Sequence, residues 1–422
     1  MKKVIFLISL LFFILKAEIK IEKVLDTESI SEYNRWVKEN KSKYPELEPI
    51  YFQIKQIKDG KYQPDAPITF DPPPEHPSTD IYEIYYYDYE KLSKIEQIIG
   101  YIEIRILEGE KYLVIKRRDY GGNTILVLKD KSGKKLFELS EDYVFMHLRD
   151  NYFIMEPYLE EGPLSAFDKL PIINIEKGPK PVKYIYNITP YDITYGIRYI
   201  AAKTYEREIV IFSYNFEEIW RKKFQYSGEP LLGNKFIVIG NVGKVLIFDT
   251  LGELKYIYIP EENPAKQYAM SAPFSIFINH EKFLVTLSPS HKILTLFDIE
   301  SKKEKWRKEL PCTPMVSSIL KYLFSLFDKY ILLIYRNKDI LVGGILVINQ
   351  EGDIINKLDF NLPKGKVKVF ERMKAGKKIK FNEYEWDWRV KFKEPFLIIT
   401  GKKNKKTEID KFIVYKFSEK GG

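Results

Sequence analysis

The sequence repeats one short pattern seven times, and the spacing of that pattern limits the folds available to the chain. Each copy has an aromatic residue, usually after a charged or polar residue, followed by three or more apolar residues. The aromatics are Tyr112, Tyr152, Tyr199, Phe236, Phe283, Tyr330 and Phe396, with steps of 40, 47, 37, 47, 47 and 66 residues. A period of about 40 to 50 residues indicates a repeated supersecondary unit.

Each repeat contains more than its aromatic strand. A short apolar strand precedes the aromatic, as in 274–278, and a Glu, Asp or Asn beside Lys marks the hairpin turn between the two. A third strand ends in an acidic or amide turn, as at Asp249 before Gly252, because such side chains bond turn amides and Gly accepts positive φ. The fourth strand is more polar, as in 303–310, which is typical of a strand with one solvated face.

These features predict an all-β fold. Inner strands that are apolar on both faces are expected where neighbouring sheets cover them, and helical periods are nearly absent after residue 100. Seven four-stranded units in a row favour a ring, which leaves only short sheet edges. We therefore predict a single β-propeller over residues 101–422 with seven four-stranded blades, while six or eight blades stay open.

The last repeat lacks the sequence for a fourth strand, because its third strand, 412–417, lies almost at the carboxyl end. We expect a segment of the N-terminal extension to close the ring by supplying that strand. Residues 51–57 and 81–89 are the two candidates, and one of them is expected beside 412–417.

Two segments depart from the repeat. Residues 18–100 are predicted to form a small N-terminal extension with a short helix after the capping box at 29–32, a Pro-rich linker at 72–77 and the ring-closing strand. The second segment explains the 66-residue step. Its Lys-rich part, 364–380, is predicted to form a loop or hairpin, and 386–392 is predicted to be the first strand of the last repeat.

The amino terminus has the features of a secretory signal. Lys2 and Lys3 precede an apolar run from Val4 to Leu15, which is shorter than the about 20 residues needed to span a bilayer. We predict cleavage after Ala17, so that 1–17 is a signal peptide and the chain is exported to a periplasmic or extracellular location. An uncleaved anchor is the alternative. Cleavage lowers the formal net charge from +9 to +6.

The unit from Ser271 to Trp306 resembles the repeat of the WD-repeat-like and quinoprotein-like (PQQ-like) β-propellers. It leads from a small residue and Pro through apolar strands to Asp298, a turn and Trp, and residues 210–220 form a second, poorer copy. The turn Gly is missing in both copies, and no repeat closes on a Trp-Asp pair. The resemblance therefore indicates an architecture without a specific family.

The resemblance also bears on cofactors. Quinoprotein dehydrogenases of this architecture typically carry a vicinal cysteine pair in the cofactor pocket, whereas Cys312 is the only cysteine of this chain. Their calcium-binding positions have no counterpart that can be aligned. We therefore predict no cofactor and no metal. Non-catalytic members of the superfamily act as adaptors or assembly factors, and that implication suits the sequence better.

The histidines and serines do not form a recognisable catalytic set. The four histidines are His147 on an apolar strand, His280 in a hairpin turn, His76 in the Pro-rich linker and His291 in the loop 288–292. That loop lacks the strand–elbow–helix context of a hydrolase serine. The Gly-rich turn at 119–123 lacks the Lys and helix of a phosphate loop. No catalytic residue is predicted, and His291 is the best placed of the four for a site.

Binding residues are sought in the loops that join second to third strands, because in a propeller these loops gather on one face. They carry eleven Lys or Arg against eight Asp or Glu, a mild positive bias. The binding-face candidates are Arg117, Arg118, Asp119, Arg207, His291, Arg336, Lys338 and Asp339.

Together these observations favour an exported, non-catalytic β-propeller that acts as a protein-binding scaffold or envelope assembly adaptor. Its expected partners are other envelope or extracellular proteins, including acidic ones, and not nucleic acid. The mature chain is expected to be a monomer without a transmembrane span. Two alternatives stay open: a glycan hydrolase or lyase with carboxylates at the ring axis, and a sugar- or calcium-dependent adhesin.

Overall fold

The structure is a computed structural model that describes 19 segments of the chain. They are residues 19–58, 81–88, 91–99, 102–107, 112–118, 124–140, 143–149, 152–157, 169–186, 190–204, 206–224, 228–261, 272–312, 322–337, 340–363, 367–374, 377–384, 386–403 and 409–419. The predicted signal peptide, the Pro-rich linker with His76, and the turn at 119–123 lie outside them.

The described residues are mostly β-structure. One α-helix, α1, spans Ile30–Asn40, and a 3-10 turn spans Ile175–Lys177. Within the described segments, no helix combines the length and apolar content that crossing a membrane requires.

The strands of the first half of the chain are β1 (Ile19–Thr27), β2 (Phe52–Lys58), β3 (Ile81–Asp88), β4 (Lys91–Ile99), β5 (Ile102–Leu107), β6 (Tyr112–Arg118), β7 (Thr124–Lys129), β8 (Lys135–Ser140), β9 (Tyr143–Arg149), β10 (Tyr152–Pro157), β11 (Lys169–Asn174), β12 (Pro181–Tyr186), β13 (Pro190–Tyr195), β14 (Tyr199–Thr204), β15 (Glu208–Ser213) and β16 (Glu218–Lys223).

The strands of the second half are β17 (Leu231–Leu232), β18 (Phe236–Asn241), β19 (Lys244–Asp249), β20 (Leu254–Tyr258), β21 (Phe274–Ile278), β22 (Phe283–Leu287), β23 (Ile293–Asp298), β24 (Lys303–Glu309), β25 (Leu323–Leu326), β26 (Tyr330–Asn337), β27 (Ile340–Ile348), β28 (Ile354–Asp359), β29 (Val367–Lys374), β30 (Lys377–Tyr384), β31 (Trp386–Lys393), β32 (Phe396–Lys403) and β33 (Lys411–Glu419).

Seven four-stranded sheets occur in the part of the chain that the structure describes, besides one three-stranded and one two-stranded sheet. Six of the seven take their strands in chain order: β5–β8, β9–β12, β13–β16, β17–β20, β21–β24 and β25–β28. Neighbouring strands in these six sheets are antiparallel, as the pairing of β21 to β24 illustrates. This up-and-down order is that of a propeller blade. The prediction of an all-β, propeller-type fold is confirmed.

The repeated aromatics mark one structural position. They are the first residues of β6, β10, β14, β18, β22, β26 and β32, each of which is an inner strand paired with the strand before it and the strand after it in the chain. All five residues of β22 are buried, whereas the outer strand β24 of the same sheet is mostly exposed. The apolar inner strands and polar outer strands of the sequence follow from this difference in burial.

The chain divides into two compact units. One comprises Met1–Asp26, Tyr226–Gly401 and Ile413–Gly422, and the other comprises Thr27–Gln225 and Lys402–Phe412. In the first unit, inner strands pack through fully buried side chains such as Val285 and Leu332. The second unit has separate apolar clusters, one of which includes Ile172 and Val210.

The N-terminal strand of the last sheet differs from the prediction. The order of that sheet is β1-β33-β32-β31, so β1 lies beside β33, and the candidates 51–57 and 81–89 do not. Those two segments are β2 and β3, which pair with each other and with β4 in a separate three-stranded sheet. Ile19 of β1 is buried, and its carbonyl accepts a hydrogen bond from Asn356 Nδ2 at 2.8 Å. An N-terminal strand does complete the sheet, but it comes from an earlier segment.

The predicted helix and Lys-rich hairpin are both present. Ser29 caps α1 by accepting a hydrogen bond from Glu32 N at 3.3 Å. Asn34 fixes the helix to the chain beyond it, since its side chain donates to and accepts from the backbone of Ile50. The segment 364–380 contains β29 and part of β30, which form the two-stranded sheet, and 386–392 falls in β31 as predicted.

Turn carboxylates connect successive sheets of the first unit. Asp328, in the turn between β25 and β26, accepts from His280 N in the preceding sheet at 2.7 Å, and Glu394 in the next sheet accepts from Phe327 N at 2.7 Å. Glu281 likewise accepts from Lys235 N at 2.9 Å. Each of these acids stands two residues before a repeated aromatic. The carboxylates of these hairpin turns therefore tie one sheet to the next.

Candidate functional site

The predicted binding-face residues fall in different parts of the structure. Arg117 and Arg118 are the last two residues of β6, and Arg207 lies exposed in the turn between β14 and β15. His291 lies between β22 and β23, and Arg336 is an exposed residue near the end of β26. Asp119, Lys338 and Asp339 lie outside the described residues. The positive charge of Arg336 lowers the pKa of His291, so these two candidates lie within electrostatic range of each other.

The loop 288–292, which we call the His291 loop, is held by its own serines and by one carboxylate. His291 N donates to the Ser288 carbonyl at 2.8 Å, and Ile293 N donates to Ser288 Oγ at 3.2 Å. Ser290 N donates to Glu261 Oε2 at 3.1 Å. His291 has a φ of 58°, in the left-handed region that most side chains avoid. These bonds fix the loop in a defined conformation.

The His291 ring lies against two aromatic side chains. Its centroid is 5.7 Å from that of Phe274 and 6.4 Å from that of Tyr322. Burial lowers the pKa of His291, the negative charge of Glu261 opposes that change, and the positive charge of Arg336 adds to it. The imidazole is therefore neutral at neutral pH and has one donor and one acceptor nitrogen.

Two polar atoms at this position have no hydrogen-bond partner among the residues that the structure describes. They are Nε2 of His291 and the hydroxyl of Tyr322, a side chain that is only 2% exposed. Burial raises the pKa of the Tyr322 hydroxyl, which stays protonated. Buried polar atoms without partners are uncommon, because each costs about 1–3 kcal/mol.

An open groove of about 410 Å³ adjoins the His291 loop. It is lined by Glu261, Lys292, Ile293, Arg307 and Glu309. Lys292 belongs to the loop and Glu261 accepts a hydrogen bond from it, so loop and groove form one site. Two acidic and two basic side chains give this polar groove both hydrogen-bond donors and acceptors.

The guanidinium of Arg307 is held in place by hydrogen bonds at the polar groove. Its Nη2 donates to Glu304 Oε2 at 2.8 Å and to the Ile259 carbonyl at 3.2 Å. The bond to Glu304 raises the pKa of the guanidinium, and partial burial opposes that change. The fork is thus fixed between two sheets with a permanent positive charge.

The structure also gives the environment of the single cysteine. Cys312 is half-buried, and burial raises the pKa of its thiol to about 11, so the thiol is protonated at neutral pH. In the described segments, no three His, Cys, Asp or Glu side chains are grouped so that they could hold a metal ion.

The groove residues Glu261, Arg307 and Glu309 were not predicted from the sequence. Glu261 lies beyond the end of β20, and Arg307 and Glu309 lie within β24, so none of the three is in a second-to-third-strand loop, although Lys292 is in such a loop. The available signal was the unusual loop 288–292, which pointed to His291 but not to the fourth strands on either side of it.

Comparison with known proteins finds relatives in fold only. No family model and no curated protein matches the sequence. BamB from Moraxella catarrhalis is 12% identical, with 87% of this chain and 98% of that chain covered and a TM-score of 0.44. Sqt1 from Saccharomyces cerevisiae is 10% identical, with 81% and 92% covered and a TM-score of 0.47. Hsv2 from Kluyveromyces lactis is 11% identical, with 71% and 89% covered and a TM-score of 0.42. These neighbours are β-propeller-like proteins.

Proposed function

We propose that the chain is an exported, non-catalytic scaffold that binds other proteins of the cell envelope or its surroundings. The observation that supports this most directly is the polar groove beside the His291 loop. It is lined by two acidic and two basic side chains, and Ile293 adds an apolar contact. Mixed charges at fixed positions suit a protein surface, where donors, acceptors and both signs of charge occur together.

The basic hairpin, residues 364–384, supports a preference for acidic partners. It contains eight Lys or Arg and two Glu, a net charge of +6 in a chain whose total is +9. The pairing of β29 with β30 sets Lys374 directly opposite Lys377. Like charges in opposite positions destabilise a strand pair, and an acidic partner would relieve that repulsion. Export rests on the charged and apolar amino terminus of the sequence.

A co-purification experiment tests the scaffold function. The full chain is immobilised and exposed to the solubilised envelope of its own cells, and enriched proteins are identified by mass spectrometry. The charge exchange Lys292→Glu with Glu309→Lys should weaken capture of a groove partner by about tenfold or more, because truncated or reversed interfacial charges act at this scale. Exchanging Glu300→Lys and Lys302→Glu in the neighbouring exposed turn is the matched control. A column that enriches no protein over a blank column would contradict the proposal.

The glycan-enzyme alternative keeps one specific observation in its favour. Glu261 and Glu309 line the same groove, and glycosidases use paired carboxylates. Release of reducing ends from a panel of envelope glycans, lost on Glu309→Gln, would replace the scaffold proposal with this one. The adhesin alternative predicts a melting shift with calcium or a glycan.

A further inference from the structure

The outer strand β20 has an exposed apolar face. Leu254 and Ile257 are 44% and 47% exposed, and Ile259, just beyond the strand, is 45% exposed. Leu251 in the preceding turn is more exposed still. β20 is the last strand of its sheet, and no strand in the described part of the chain pairs with its other edge. Such an edge has a row of backbone groups that another extended chain can pair with.

The equivalent positions of three other outer strands, β8, β16 and β24, carry ion pairs, whereas β28 has Ile354 and Lys357 there. We take two outer-strand residues as equivalent when they pair with the same position of the third strand of their sheet. By this register, Leu254 is equivalent to Lys135, Glu218 and Glu304. Ile257 is equivalent to Glu138, Arg221 and Arg307. Lys135–Glu138, Glu218–Arg221 and Glu304–Arg307 each form a salt bridge, at 3.1, 2.7 and 2.8 Å. Charged side chains on an edge prevent unwanted pairing. In β20 this protection is replaced by two aliphatic residues.

The opposite face of β20 is firmly anchored. The ring centroids of Tyr256 and Tyr258 lie 5.1 and 4.6 Å from that of Phe297 in the next sheet. The Tyr258 hydroxyl donates to Glu304 Oε2 at 2.5 Å. Because the inward side chains are fixed, Leu254 and Ile257 are held outward. An edge ordered in advance loses little conformational entropy when it binds.

The apolar edge continues into the polar groove. The carbonyl of Ile259 accepts from Arg307, and Glu261, two residues further on, lines the groove. An occupant of the edge therefore meets apolar side chains along β20 and charged side chains at its end. An apolar centre beside a polar rim is typical of protein interfaces.

We propose that β20 accepts an extended segment of a partner protein as an additional strand. The segment has apolar residues at alternate positions and a charged residue where it reaches the polar groove. An extended chain is favoured over a helix because it alone offers backbone donors and acceptors along the whole edge while its alternate side chains cover Leu254 and Ile257. This inference rests on the proposed scaffold function and names the chemistry of its partner.

The test uses a synthetic peptide of about eight residues in which valine alternates with threonine, and a second peptide with two central prolines in place of threonines. Binding to the full chain is followed by fluorescence anisotropy, and amide exchange is measured across β20. We expect the alternating peptide to bind, the proline peptide to bind at least about tenfold more weakly, and the amides of Leu254 to Tyr258 to exchange more slowly in the complex.

The decisive variant is Leu254→Glu with Ile257→Arg, which copies the ion pair of β16 and β24 and should fold normally. It should weaken binding of the alternating peptide by about tenfold or more. Ile354→Lys is the matched control, because Ile354 is 45% exposed on the outer strand β28. Equal binding of both peptides, unchanged exchange of the β20 amides, or equal loss in variant and control would overturn the proposal.

A second copy of the chain is the competing occupant. If the unaltered chain dimerises in solution and the β20 variant is a monomer, then β20 binds a second copy of this chain and the proposal is wrong. If envelope partners are captured equally by the unaltered chain and the β20 variant, the scaffold function stands and the strand-addition inference fails.

Discussion

β20 and β24 are equivalent outer strands of neighbouring sheets, yet only their inward faces are alike. Tyr258 of β20 donates a hydrogen bond to the next sheet through its hydroxyl, and Trp306 of β24 does so through Nε1, which lies 2.7 Å from the Gln350 carbonyl. On the opposite face, β24 carries the Glu304–Arg307 pair, which bonds to Tyr258 and to the Ile259 carbonyl of the neighbouring sheet, and β20 carries Leu254 and Ile257. Both strands thus anchor an aromatic side chain in the next sheet, whereas the opposite face carries a bonded ion pair in β24 and exposed aliphatic residues in β20.

The largest expected effect is on the inward face of β20. Tyr258→Ala should lower the free energy of unfolding by about 3 kcal/mol, because it removes a buried ring that packs on Phe297. Ile257→Ala, one residue away and exposed, should change it by less than about 0.5 kcal/mol. Urea denaturation of the two variants measures both values. Similar losses in the two would mean that the two faces of β20 do not differ as described.

A smaller, pH-dependent effect is expected at the link between the two strands. Burial tends to raise the pKa of Glu304, but hydrogen bonds from Arg307 and Tyr258 outweigh it and lower the pKa below its usual 4.5. A lowered folded-state pKa stabilises the fold above pH 4.5, and this contribution is lost as the pH falls through the folded value.

Glu304→Gln should therefore cost about 1 kcal/mol at pH 7, and the deficit should shrink as the pH falls below 4.5. Thermal melting from pH 7 to pH 3 measures the difference between the two chains. Glu300→Gln, an exposed carboxylate in the turn before β24, should show little deficit at any pH. A deficit for Glu304→Gln that is constant with pH would exclude an ionic contribution.

The repeat made much of the fold predictable, because each aromatic position is filled for the same physical reason in every sheet. Tyr112 and Phe396, almost 300 residues apart in the sequence, begin equivalent strands. The strand beside β33 was not predictable in this way, since β1 is a single copy with no repeat to compare. Segments 51–57 and 81–89 were better strands by composition, and they pair with each other.

The candidate site was less predictable than the fold. His291 was predicted from the sequence of its loop. Glu261, Arg307 and Glu309 are far from that loop in the sequence or lie on other strands, and only the folded structure brings them into the same groove. The apolar edge of β20 was visible in the sequence as Leu254, Ile257 and Ile259. The sequence alone did not show that Leu254 and Ile257 stand where β24 has Glu304 and Arg307. Each outer strand contains a bulge, so equivalent positions are found only from the pairing of each outer strand with the third strand of its sheet.

The smallest effect on stability, and the most informative about the comparison, is expected when the apolar pair is transferred. Glu218→Leu with Arg221→Ile gives β16 the outward residues of β20, and it removes a partly exposed ion pair that contributes about 0.5 kcal/mol. The melting temperature should therefore change little.

If aliphatic residues on an outer edge are sufficient to bind an extended chain, the variant should bind two molecules of the alternating peptide, one at β20 and one at β16. The β16 amides should then exchange more slowly in the complex. If β16 stays inactive while β20 binds, the adjoining polar groove, which β16 is not part of, supplies the missing contribution. The double change Lys292→Glu and Glu309→Lys in the unaltered β20 background should then weaken binding of an alternating peptide that carries a charged residue at its groove end.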